Sequence, residues 1–338
     1  MSSSVTDIIQ IDTQLVTPVY KQIVQSICRS IEAGVLKKDA MLPSVNSIAE
    51  TFSLARGSVF TAYNDLRSSG IINSVPGKGY FVVSTATKQD KNIFLLFRSY
   101  DAYRECLLAS LRNNLPASFS IDLYFYHNSM ALFENLIREK AALYNTFIIM
   151  PEADKNTHGL LAKLDQKQLY LLDTGFKEYR KMYAGVYQNA EKDIYNLLRN
   201  AESRVSKYKR LFLLRSKDSK EKEIVSGFQK FTSSKKITAQ VITSFETVAV
   251  QKGDGFIVLD DNSLVELVKT VQEKQWQPGK DIGILSYNET PLKSIIAGGI
   301  STFTTDFEAM GKAIANMVIT GKGTLVENPA LFTDRKSF

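Results

Sequence analysis

Cysteine, histidine and tryptophan are nearly absent from this sequence: two, two and one among 338 residues. Cys28 and Cys106 stand far apart among apolar neighbours on helical patterns, so they read as buried free thiols rather than a disulfide. With only His127 and His158 beside them, no metal-ligand spacing is available, and no metal is expected. Long apolar runs are missing too. Ile93–Phe97 and Phe147–Met150 have the length of buried strands, far below the ~18 residues of a membrane span. The opening Met1-Ser2-Ser3-Ser4-Val5 lacks the basic-then-apolar order of a secretory signal and reads as a short tail on a cytoplasmic chain. Gly-x-Ser-x-Gly, P-loop and zinc motifs are also lacking, so neither catalytic residues nor a cofactor is expected.

What is present is ordinary globular material, 44% hydrophobic and 23% charged, long enough for two domains of unequal size. The net charge of +7 suggests an anionic partner, yet it is unevenly placed. Residues 1–83 hold seven Lys/Arg against six Asp/Glu, whereas residues 199–236 hold twelve against four. The second cluster reads as a solvated helix face and loop. A case for DNA binding therefore has to rest on pattern.

The pattern is in the first eighty residues. Val19, Ile23, Val24, Ile27 and Ile31 recur at helical spacing from Pro18 to Ala33, with Thr17 as a plausible N-cap and Gly34 as the stop. Ser44 can cap a short helix ending near Phe52. A third helix runs from Arg56 to Ser69 with Val59, Ala62, Tyr63 and Leu66 on one face, and Gly70 ends it. Ile71–Asn73 and Tyr80–Val83 read as two strands around a Gly77-Lys78-Gly79 turn. Three small helices and a hairpin make a winged helix-turn-helix, its third helix placed for a major groove.

Pro18-Val19-Tyr20, Gly34-Val35-Leu36, Leu42-Pro43-Ser44, Arg56-Gly57-Ser58-Val59, Gly70-Ile71-Ile72 and Gly77-Lys78-Gly79-Tyr80 together resemble the GntR family of repressors. The resemblance implies that Arg56 reads a guanine through O6 and N7 and that Ser58 touches phosphate. It implies that Ser44 caps its helix while offering a backbone N–H to phosphate, and that Gly77, Lys78 and Gly79 form a wing tip close to the minor groove. Three positions depart from the family: Asn46 replaces an arginine and suits adenine, Ala55 replaces a capping serine, and Phe60 stands where a basic residue is common.

A polar linker follows at 84–92, and from 93 to 338 apolar strands alternate with helices, the signature of parallel sheets covered on both faces. Strands are expected at 93–97, 121–126, 147–150, 169–172, 185–187, 211–214, 241–245, 255–259 and 282–285, with one long helix near 191–207. The stretch Asp281-Ile282 through Ser286-Tyr287-Asn288, then Ile300 to Asp306-Phe307 and Gly311, is similar to the sensor domains of LacI-type repressors and periplasmic sugar-binding proteins. A GntR-like head on such a sensor resembles the arabinose-responsive repressor type.

The architecture so implied is α/β: a winged helix-turn-helix over 1–83, then a two-lobed periplasmic-binding-protein-like domain. Lobe one would take about 93–189 and 290–320, and lobe two about 190–289 and 321–338. It implies a homodimeric DNA-binding repressor reading a double-stranded operator, with a small neutral effector, a monosaccharide, held between the lobes at strand carboxyl ends. The resemblance, together with strand-end position, implies Ser99, Tyr100, Gln188, Asn189 and Asp261 as ligand contacts, and strand-end position adds Glu152, Asp173 and Arg215. Asp261 is the leading candidate, although it or Asn262 serves equally well as the cap of a helix starting at Ser263. The family's clamp arginine is Ile224 here, for which Arg215 can substitute, and Trp276 lies on a helix-to-strand turn away from the strand ends. The alternative is an enzyme or transport-type binding domain fused to the head.

Overall fold

Ser4 caps the first helix, α1 (Val5–Ile8), in a reciprocal box: its hydroxyl accepts from the Asp7 amide, and the Asp7 carboxylate accepts from the Ser4 amide. The computed structural model describes residues 4–87, 91–152, 154–173, 182–215, 222–235 and 237–338. It divides into two compact units: Met1–Ser99, Pro116–Ala184 and Gly321–Gly323, and Tyr100–Leu115, Gly185–Thr320 and Thr324–Phe338.

The head in the first unit is built as the periodicity requires. α2 (Val19–Glu32), α3 (Val45–Thr51) and α4 (Arg56–Ser68) are followed by the antiparallel pair β1 (Ile72–Val75) and β2 (Gly79–Val82). Ile23, Ile27, Ile48, Val59, Ala62, Tyr63, Leu66 and Val82, all with no measurable exposure, form its core with Ile72. Two expectations fail. Thr17 is not the cap of α2, because Pro18 occupies that position and makes no side-chain bond. Ser4 and Val5, expected in a tail, instead open α1, and the arm that continues from them places Ile8 and Ile9 in the head core. Cys28 is buried as expected, but Cys106 is exposed, since it lies on the outward side of its helix.

The arm explains a run of polar residues on the buried side of α2. Gln22, Ser26 and Ser30 recur every four residues and are all under 8% exposed. Gln22 accepts from the Asp12 amide and donates to the carbonyls of Asp12 and Thr17. Ser26 exchanges both backbone bonds with Gln10, and Ser30 donates to the Ile8 carbonyl. The arm's backbone groups are thereby satisfied without a strand partner.

The rest of the first unit contains β3 (Asn92–Phe97), β4 (Ser120–Phe125), α6 (Met130–Lys140), β5 (Thr146–Ile149), α7 (Thr157–Leu161) and β6 (Leu169–Asp173). Its strands run parallel in the order β4-β3-β5-β6. The second unit holds α5 (Ala102–Asn114), β7 (Ala184–Tyr187), α8 (Ala190–Asn200), α9 (Glu202–Val205), β8 (Arg210–Leu214), α10 (Lys222–Ser233), β9 (Thr238–Ile242), β10 (Asp254–Val258), α11 (Asp261–Glu273), β11 (Gly283–Tyr287), β12 (Ser301–Thr305), α12 (Phe307–Thr320), β13 (Leu325–Glu327) and β14 (Ala330–Thr333). Six strands form the sheet β14-β12-β11-β10-β8-β9, parallel except for β14, and β13 runs parallel to β7.

Four differences from expectation lie in the second unit. The helix expected near 191–207 breaks at Ala201 into α8 and α9. The strand expected at 241–245 lies three residues earlier, at Thr238–Ile242, where it pairs in parallel with β8 and Val241 stands opposite Leu213. Residues 301–320, expected in lobe one, supply β12 and α12 to the second unit, where β12 pairs with β11. Residues 100–115, expected in lobe one as well, contribute α5, which packs on α12 through the Ser110 hydroxyl and the Glu308 carbonyl.

Candidate nucleic-acid interface and effector site

The head's recognition elements are fixed from beneath. Tyr63 on α4 donates to the Pro43 carbonyl at 2.6 Å, locking the angle between α4 and the entry to α3. Its ring meets Tyr80 of β2 edge-on at 4.7 Å, and burial raises its phenol above the ordinary value. Met41 pairs with Phe81 as a third-strand bridge, and the Leu42 amide donates to the Tyr80 carbonyl, so the wing is braced from the segment before α3. Ser44 caps α3 by accepting from the Ser47 amide, as expected. Ala55 stands at the N-cap of α4 without a side-chain bond, which leaves that helix's first amides open to an incoming acceptor.

On this frame Ser44, Asn46, Arg56, Gly77, Lys78 and Gly79 are exposed and Ser58 is half-buried. Arg56 is the first residue of α4. Gly77 and Gly79 take φ of +75° and +114°, a left-handed turn that glycine makes without strain. Four of the twelve cations in the basic cluster at 199–236 are held in ion pairs. Arg204 pairs with Asp334, Arg210 with Asp254, Lys230 with Glu191 and Lys235 with Glu202.

In the first unit, the carboxyl ends of β4, β3 and β5 bring three polar side chains together. Arg98 follows β3; its Nε donates to the Tyr126 hydroxyl at 3.3 Å and lies 3.6 Å from the Glu152 carboxylate. Glu152 is 8% exposed, and its carbonyl accepts from the buried Thr157 hydroxyl. Ser99 is half-buried beside them in the chain. Asp173 ends β6, and its side chain lies outside the described residues. Arg98 and Tyr126 were not singled out from the sequence, although the same strand-end position that selected Ser99 would have found Arg98.

In the second unit, Asp261 is not a helix cap. Asp260 caps α11, accepting from the amide and hydroxyl of Ser263, and Asp261 is the first helical residue. Asp261 is instead bound at 2.8 Å by Lys293, whose side chain is 2% exposed and whose other two bonds go to the carbonyls of Tyr287 and Asn288. All three ammonium protons are thus used. Asn288, in the left-handed region at φ +62°, ends β11; its side chain hydrogen-bonds Tyr103, while its Oδ1 is buried without a partner among the described residues. Tyr103 itself is pushed up to about 12 by burial, with Asp261 and Asp101 adding to the effect.

The remaining candidates are dispersed. Asn189 is the N-cap of α8, accepting from the Lys192 amide; Gln188 is buried; Arg215 is half-buried at the end of β8; Tyr100 is 54% exposed. Gln188 lines a small cleft with Asp193, Ile224, Tyr287 and Thr305. Trp276 packs against the core under the Lys274 ammonium. Lys293, Asn288 and Tyr103 were missed because they lie on a 3₁₀ turn, a left-handed residue and a helix, where strand-end reasoning does not look.

Comparison with known proteins accounts for both parts. Residues 19–82 match the bacterial regulatory proteins of the gntR family, and residues 203–330 match the periplasmic binding protein-like domain. The head is 35% identical over 78 residues to the HTH-type transcriptional repressor YtrA of Bacillus subtilis, covering 23% of this chain and 60% of that protein. It is 33% identical over 79 residues to the HTH-type transcriptional repressor NagR of the same organism, covering 23% and 32% respectively. The chain therefore spans less than two thirds of each of these relatives. Among solved structures, the Lac repressor bound to ONPG aligns with a TM-score of 0.61 at 14% identity, covering 84% of this chain and 90% of that one. A LacI family regulator from Enterococcus faecium with bound ribose aligns at 0.58 and 16% identity, covering 73% and 98%. The architecture is a GntR-type helix-turn-helix head followed by two parallel-sheet lobes of the LacI and periplasmic-binding-protein fold.

Proposed function

We propose that this chain is a cytoplasmic, homodimeric transcriptional repressor, a regulator rather than an enzyme, that releases or grips its operator in response to a small neutral sugar. The observation that carries the reading is the union on one chain of a GntR-type head, with Arg56 exposed at the first turn of α4, and a periplasmic-binding-protein-like fold. Half-sites of a palindromic operator call for two heads, which is the reason for a dimer.

A neutral, hydroxyl-rich effector is favoured by the charge balance at the strand ends. Arg98 faces Glu152 and Lys293 faces Asp261, so these two cations already have their carboxylates. The buried Asn288 Oδ1 lacks a donor, which a sugar hydroxyl would supply; a buried unpaired acceptor costs about 1–3 kcal/mol. Operator selection with the full chain on a randomised DNA library, followed by thermal-shift titration with pentoses, hexoses and deoxyhexoses, tests both halves. The reading requires a palindromic consensus and at least one sugar that raises the midpoint. Enrichment of no sequence over background overturns the first half, and no midpoint shift with any sugar overturns the second.

A further inference from the structure

The face of the head that carries Arg56, Asn46 and the wing is open, but its opposite side is fastened. α2 presents two cations to the 141–168 stretch of the same unit. Lys21 Nζ donates to the Ala142 carbonyl at 3.0 Å, and the Arg29 guanidinium meets the Asp165 carboxylate at 2.5 Å. The arm that precedes α2 adds two bonds: the Val16 amide to the Lys163 carbonyl at 2.9 Å, and Lys167 Nζ to the Gln10 side chain at 3.2 Å. The linker is tied at both ends, Thr87 donating to Glu32 and Lys91 to Gln168, each at 2.9 Å.

We propose that α2, with residues 8–17 as a strap beside it, docks the DNA-binding head against residues 141–168, so that the head and β3–β6 move as one body. The strap suits the task chemically. Gln22, Ser26 and Ser30 consume its inward-facing backbone groups, while Val16 and Gln10 reach outward to the lobe. None of the seven candidate DNA contacts takes part in the seam, so a docked head remains able to bind DNA. On the repressor reading above, which this step alone assumes, an effector-driven shift of the strand-end cluster at Arg98 and Glu152 reaches the head through the seam and not through the 84–91 linker.

Docking itself is tested without DNA or effector, so its failure is separable from failure of the repressor reading. The full chain carrying Cys106→Ser and Asn73→Cys is labelled at position 73 with a long-lifetime fluorophore, and its anisotropy decay is recorded. The wild-type background gives a single slow correlation time, that of the whole protein. Asp165→Arg, and separately Arg29→Ala, adds a fast component from a released head. Arg29→Asp combined with Asp165→Arg restores the pairing with opposite polarity and removes the fast component, an outcome that mere damage to the fold would not give. A fast component in the unaltered seam overturns the proposal, as does a single slow decay in both Asp165→Arg and Arg29→Ala.

Discussion

Asp261 shows how a residue can be placed correctly by sequence and its partner missed. Strand-end position found the carboxylate, but only the fold reveals that it neutralises Lys293, a cation with no other counter-charge bonded to it among the described residues. Asp261→Ala therefore should not act on sugar binding alone. Stranding one donor of a buried ammonium costs about 1–3 kcal/mol of folding stability, whereas Asp261→Asn keeps an acceptor and loses less. Denaturant melts of the two variants without sugar measure the difference; equal stability would show that Lys293 does not depend on this carboxylate. Asp193 gives a second residue-scale expectation. Burial, with Glu327 adding repulsion, pushes its carboxyl up to about 6 from an ordinary 3.8. A folded value above the unfolded one means that the native chain binds the extra proton between pH about 4 and 6. That stabilisation is fully present below the window and is lost as pH rises through about 6. Asp193→Asn should thus raise folding stability at pH 7.5, by of order 1 kcal/mol once solvent screening is discounted, and have little effect at pH 4.5, as denaturant melts at the two pH values would read. A gain of the same size at both pH values would count against it. Arg56 was legible outright, as the first residue of a helix whose boundaries the sequence marks. Its replacement by Ala should cost ~1–3 kcal/mol of operator affinity and relax one base position per half-site. Uniform weakening across operator variants, read by gel shift, would make it a phosphate contact.

At the scale of elements, legibility followed periodicity. α2, α3, α4 and the wing lie within about a turn's end of their expected bounds because apolar spacing, Ser44, Gly70 and the Gly77–Gly79 turn all point to one answer. The arm before α2 was illegible because it is held by side chain to backbone bonds, which leave no hydrophobic period in the arm itself. Its trace sat one element later, in the stripe Gln22, Ser26, Ser30, which a purely apolar reading of α2 passes over. Gln22→Leu, close in volume but unable to bond, should strand the Asp12 amide and the Thr17 carbonyl and destabilise the head by about 2–3 kcal/mol. Hydrogen exchange along 8–17 reads this directly: protection falls if Gln22 pins the arm and stays unchanged if it does not. The break at Ala201 and the shift of β9 are boundary effects of the kind that tertiary register decides. The division of strands between units was least legible, since a strand's own residues do not say which neighbour it will pair with, and β12 joined β11 only through contacts remote in sequence.

At the scale of the whole molecule, the charge distribution sets the last expectation. The +7 chain carries most of its excess in the 199–236 segment of the second unit and not in the head, and Arg204, Arg210, Lys230 and Lys235 of that segment are held in ion pairs. The head's own candidate contacts include only two cations, Arg56 and Lys78, beside neutral Ser44, Asn46 and Ser58. Affinity for duplex DNA falls with log salt at a slope near −0.9 for each phosphate neutralised, so two heads bringing about four cations should give a slope no steeper than about −4. Recognition by this protein would then lean on base edges and backbone amides, including the uncapped first turn of α4, more than on counterion release. Lys207 and Lys209, both exposed in the basic stretch, provide the control. Their joint replacement by Gln should leave the slope unchanged, while Lys78→Gln should flatten it by about 2 in a two-headed complex. If the Lys207/Lys209 variant flattens the slope, the second unit touches the DNA backbone and the head is not the whole of the interface.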